Sequence, residues 1–152
     1  MPYSTAEARQ QLLDDLAVAI DEIGVALAAL GEAYEVVDER SGDQLEKELF
    51  RPVGLIYARA QRTHAGFAAR TGLPARRFEP AAAGRPSLTA RDLLDTTREA
   101  LAEADHLLTE IQDSMMPVEV GDAELRSGLA AAREQLGPLP DRAVDLQRVL
   151  GR

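Results

Sequence analysis

The chain has no cysteine and no tryptophan, and its aromatic content is three Phe and three Tyr. Without cysteine there is no disulfide framework, no thiol nucleophile and no Cys-ligated zinc, which also fits a reducing compartment. Long hydrophobic runs are missing too. The longest low-charge stretch, IGVALAALG at 23–31, falls far short of the roughly 20 apolar residues that span a bilayer. The start, MPYSTAEARQ, lacks the basic region followed by an apolar run that marks a signal peptide. These absences predict a soluble, cytoplasmic protein. Positive charge is scarce as well: 17 Lys and Arg against 26 Asp and Glu give a net charge of -9. That balance argues against nucleic acid, whose phosphates require a surplus of cations. Of the basic residues sixteen are Arg and one is Lys, a bias we attribute to coding composition rather than chemistry.

What remains is Ala, Leu, Glu and Asp, a helix-forming composition. A length of 152 residues suits one domain, 1–152, able to bury about 70% of its unfolded surface without a metal or crosslink. From Leu13 the apolar residues Leu16, Ile20, Ile23, Leu27, Leu30, Tyr34 and Val37 follow at alternating steps of four and three, which predicts a helix over about 5–40. Ser4 and Glu7 suit its capping box, and Ser41-Gly42 its end. A second helix is predicted from Gly42 or Asp43 to Thr71, kinked at Pro52 because proline lacks the donor for the carbonyl four residues earlier. The stretch 72–88, with three prolines and two glycines, is the one long loop. A third helix starts at a Thr89/Asp92 capping box and closes at Pro117. A fourth starts at Asp122 and is broken near Gly137-Pro140. Mostly short connections predict an all-α, antiparallel up-down-up-down four-helix bundle.

Glu103-x-x-His106 is half of the inward pair that di-metal bundles carry, so it tests for a ferritin-like metal protein. At 100° per residue His106 points away from the Leu94, Leu101 and Leu108 face, and Glu103 lies about a right angle from it. The acids of the first helix all fall at outward heptad positions, so neither a metal nor another cofactor is expected. His64 is different, since it falls within the apolar stripe of the second helix. Prolines 138 and 140 leave the carbonyls of Glu134 and Leu136 without their usual donors, and a histidine N–H or the Thr97 hydroxyl can supply one. His64 is therefore either a satisfied core histidine or part of a polar pocket with Thr97 and Tyr57.

Two surfaces stand out. From Arg51 to Arg91 there are eight arginines and one acid, Glu79, for a net charge of +7. With up-down-up-down topology this collects at one end of the bundle, with an acidic pole opposite. Arg76, Arg77 and an exposed Phe78 then form a candidate surface for an acidic protein or anionic ligand. The first helix is uncharged between Glu22 and Glu32, and Val18 and Val25, with Ala28 and Ala29 beside them, are placed outward; this predicts a homodimer across that face. The function expected is that of a non-catalytic intracellular helical bundle acting through protein–protein contacts, with no nucleic acid and no membrane. The alternative is a small-ligand-binding bundle or enzyme with a pocket around His64.

Overall fold

Helix α1 (Thr5–Val36) begins where the Ser4 hydroxyl accepts the Glu7 N–H at 3.1 Å, satisfying one of the orphan donors of a helix start. A computed structural model describes residues 4–80 and 88–150. The fold is all-helical: helix makes up 85% of it, and no strand occurs among the described residues. None of the described helices is long and apolar enough to cross a membrane.

The second helix starts earlier than the glycine at 42 suggests. Asp38 accepts the Ser41 N–H at 2.7 Å and caps α2 (Glu39–Leu45), so Ser41 and Gly42 lie in a first turn and not in the turn between helices. A π-helical turn, Glu46–Phe50, joins α2 to α3 (Arg51–Thr71). It stands directly before Pro52, where one hydrogen bond of the ordinary ladder is impossible. The carbonyl that Pro52 leaves free is that of Glu48, and the Arg142 guanidinium donates to it at 3.4 Å. Gly72, at φ 70°, ends α3 in the left-handed conformation, with the Leu73 N–H reaching back to the Ala68 carbonyl.

Helix α4 (Ala90–Asp113) carries a complete capping box between Thr89 and Asp92. It ends before Pro117, which falls inside the short α5 (Met116–Glu119). Asp122 caps α6 (Ala123–Leu136), and α7 (Leu139–Leu150) resumes after Gly137 and Pro138.

The side-chain contacts set the directions of these rods. Leu13 near the start of α1 meets His64 near the end of α3, and Arg70 at the end of α3 binds Asp122 at the start of α6 at 2.7 Å. Gln147 near the end of α7 donates to the Arg91 carbonyl at the start of α4. Asp15 and Val18 share a groove with Leu107 and Ser114 at the end of α4. So α1 packs antiparallel to both α3 and α4, α6 to α3, and α7 to α4. Helices α3 and α4, consecutive among the long ones, run the same way and make no substantial contact.

This corrects the expected up-down-up-down order to up-down-down-up. The reason is the long connection between Thr71 and Ala90. Helix α4, with 24 residues, rises about 36 Å, and an extended chain at about 3.3 Å per residue covers that in a dozen residues. The connection therefore carries the chain back to the far end. Its first part, residues 73–80, lies along α1: Arg76 binds Asp21 at 2.9 Å, and Pro80 comes beside Gly24.

The buried face of α1 is wider than the single stripe the sequence suggests. Leu12, Ala19, Ala26 and Ala33, each seven residues from the next, are buried together with Ala29, while Tyr34 is 44% exposed. Helix α1 packs against both α3 and α4, so a second heptad stripe beside the first is covered.

Candidate functional site

Two seams flank α3, and they differ. On the α1 side, His64 is 3% exposed. Its Nε2 lies 3.1 Å from the Leu13 carbonyl oxygen. A carbonyl only accepts, so Nε2 carries the proton and donates. Nδ1 is then a bare lone pair, buried with no partner. Phe78 covers the ring edge-on, with centroids 5.2 Å apart and planes at 84°, and the Arg76 guanidinium stacks on Phe78 at 4.7 Å. Protonating Nδ1 would bury a donor with no acceptor in a dry place. Burial accordingly holds the imidazole below its ordinary 6.5, and the Arg76 charge pushes it the same way. The bond to Leu13 and the Asp14 carboxylate act in the opposite sense.

Neither of the other sequence-predicted pocket residues hydrogen-bonds to this ring. Thr97 is fully buried, and its hydroxyl donates within its own helix to the Leu93 carbonyl at 2.8 Å. Tyr57 is 7% exposed; burial raises its phenol, as does the charge of Asp21. A methyl group added at Gly24 would sit 3.3 Å from the Tyr57 ring and 3.6 Å from the Pro80 backbone, so the crossing segment passes close to α1 there.

Phe78 was expected exposed but is half-buried against the core. Arg76 is engaged with Asp21, and Arg77, with its side chain 92% exposed, lies 3.9 Å from the Glu79 carboxylate. Residues 73–80 thus form a strap over the α1/α3 seam. That strap, with α3 and α4 on its flanks, accounts for the uncharged middle of α1. Ala29 is buried inside the chain at 0% exposure, correcting its outward placement. Val25 and Ala28 are half-buried, Val25 against the core, and Val18 is 50% exposed.

On its other side α3 packs on α6, and an open groove runs between α3 and α6/α7. One stretch, about 390 Å³, has Ala60, Gly128, Ala131 and Ala132 along it, with Arg59 and Arg62 at the margin. A second stretch of about 370 Å³ continues it past Pro52, Leu55 and Leu139 to Lys47, Arg51 and Arg142. The two share Ile56, Arg59 and Gln135, so they form one channel. Its lining holds six cations, counting Arg70, and one acid, Glu124. Arg70 is neutralised by Asp122 at 2.7 Å and Glu124 at 2.8 Å, and its guanidinium holds the Asp122 carboxyl below the usual carboxylate range. Lys47, Arg59, Arg62 and Arg142 have no carboxylate partner among the described residues. Leu55 stands among them at 48% exposure.

On α1, Glu22 is raised above its ordinary value by burial first and then by Glu103 on α4 and by Asp21. The expected separation into a basic and an acidic end fails because Arg70, among the arginines of 51–91, binds Asp122 and Glu124 at the start of α6. The signal for the groove is present in the sequence: Lys47, Arg51, Leu55, Arg59 and Arg62 recur at steps of four and three, one stripe of a helix.

Glu103 and His106 lie on the exposed face, His106 bonded to Glu110 at 3.0 Å. No group of three or more His, Asp or Glu side chains is gathered as metal ligands among the described residues. A scan against family models finds no match to the chain, and neither do searches of curated proteins and of solved structures.

Proposed function

We propose that this chain is a non-catalytic antiparallel four-helix bundle, kinked at the π turn before Pro52 and broken after Leu136, that works in the cytoplasm through protein–protein contacts. Its working surface is the groove between α3 and α6/α7, and its partner is acidic. The observation that carries this reading is the cluster of unpaired cations around Leu55 on a chain whose net charge is -9. Like charges held together without counter-ions repel one another, and a ligand of opposite sign relieves that cost while gaining on-rate and specificity. The sealed His64 supports the same reading over a catalytic one, since general acid–base work requires reach to a substrate.

The test is to recover proteins bound to the tagged full chain from its native host, beside Arg59→Glu/Arg62→Glu and Arg76→Glu/Arg77→Glu. A partner lost with the first pair and retained with the second supports the groove. The reverse pattern moves the surface to the strap, and equal recovery by all three contradicts both.

Self-association is a second reading, favoured by Val18, which is half-exposed beside Leu107 in a shallow groove on α1 and α4. Light scattering of Val18→Glu decides it: a purified dimer whose mass the substitution leaves unchanged would exclude this face.

A further inference from the structure

Resting on the reading just given, we infer that the occupant of the α3–α6/α7 groove is an acidic amphipathic helix with an apolar stripe that covers Leu55. Three features lead there. The first is shape. The groove walls are long helices, and from Arg51 to Arg70 the α3 wall rises about 30 Å, the length of a helix of about 20 residues. Side-chain ridges on two packed helices leave a channel into which a third helix fits.

The second feature is the floor. At Gly128 an added methyl carbon would run into the Thr63 side chain, so α3 and α6 touch closely there. With Ala60, Ala131 and Ala132 alongside, little side-chain bulk rises above the seam. A third backbone can approach a floor of this kind.

The third is backbone chemistry. No strand edge exists among the described residues to pair with an extended peptide, and an unpaired amide taken out of water costs free energy. The strap on the opposite seam avoids that cost by staying at the surface, exposed at residues 74–77, 79 and 80. A helix pairs its own amides and can sit deeper, laying aliphatic side chains over Leu55, Pro52 and Leu139 while its flanking carboxylates reach Lys47, Arg59, Arg62 and Arg142. Lone phosphates or sulfates would answer the cations but leave Leu55 uncovered.

The experiment titrates the intact chain with fluorescent alanine-based peptides of about 20 residues and reads anisotropy at two salt concentrations. One peptide carries Leu on a single face and Glu on both flanks. A second has the same composition with Leu distributed around the helix, and a third has a central proline. Heparin competes in a separate arm.

The first peptide should bind about tenfold more tightly than the other two, weaken as salt rises, and lose affinity with Arg59→Glu/Arg62→Glu and with Leu55→Glu. Circular dichroism verifies that both variants keep the helical content of the parent. Equal binding of all three peptides, abolished by the arginine reversal, would overturn the helix while leaving the acidic-partner reading intact. No binding by any peptide overturns both. Heparin displacing the first peptide with no dependence on Leu55 overturns the amphipathic occupant in favour of a polyanion.

Discussion

The two seams of α3 differ in who fills them. On the α1 side the chain fills its own groove with residues 73–80, placing Phe78 on His64, Arg76 on Asp21 and Pro80 by Gly24. On the α6/α7 side no described segment lies over the channel, and cations line it around a half-exposed Leu55. The covered seam shows what such a groove takes up: an apolar anchor and a charge opposite to that of the wall. Transferred to the open seam, the same rule calls for an apolar anchor with negative charge.

The largest expected effect tests how closely the open seam is packed. Gly128→Ala places a methyl against Thr63. Overpacking of about 1–3 kcal/mol opposes a gain of about 1 kcal/mol from replacing glycine inside a helix, so urea denaturation should show a net loss of up to about 2 kcal/mol. Adding Thr63→Ala should restore stability to the parental level or above. If the single substitution stabilises the chain, the two helices are farther apart than described.

Next, Phe78→Ala removes half-buried aromatic surface from the covered seam and should lower stability by about 1–2 kcal/mol. It should also expose His64 to faster deuterium exchange at its ring carbon, read by NMR. An unchanged ring would mean that the strap does not seal the seam.

His64 gives a pH signature. Its folded-state value is depressed, so the unfolded chain binds the extra proton more readily, and stability rises with pH across the window where only the unfolded imidazole is protonated. This contribution is fully present above the ordinary 6.5 and is lost as pH falls below it toward the folded value. Melting temperature should thus drop on acidification through that window in the parent and less steeply in His64→Leu. Parallel curves for the two proteins would contradict a buried neutral imidazole.

The smallest effects come from surface charge. Asp21→Asn breaks an ion pair whose side chains are about half exposed and should cost no more than about 0.5 kcal/mol. Arg59→Glu/Arg62→Glu should change stability by about 0.5 kcal/mol or less, leaving any loss of binding attributable to the surface itself.

How much of this was legible in the sequence depends on the range of the signal. Local signals were clear: the Thr89/Asp92 box, the Asp122 cap, the stop at Gly72 and the burial of His64 all follow from chemistry within a turn or two. Helix direction was not, because it depends on whether residues 72–89 turn back or cross over, and their length allows both. A basic pole depends on that direction, whereas the four-and-three spacing of Lys47, Arg51, Leu55, Arg59 and Arg62 places them on one side of a helix whichever way it runs. Phe78 had no periodic context to mark it as buried, and its partner His64 lies fourteen positions earlier across the strap.

The central claim, that the open basic seam and not the covered one is the working surface, is tested most directly by photo-crosslinking in living cells. A diazirine-bearing residue is placed at Leu55 in one strain and at Arg77 on the strap in another, each in the full-length chain. The account predicts a discrete adduct with an acidic protein from position 55, lost when Arg59→Glu/Arg62→Glu is added, and none from position 77. Adducts from position 77 alone would contradict it.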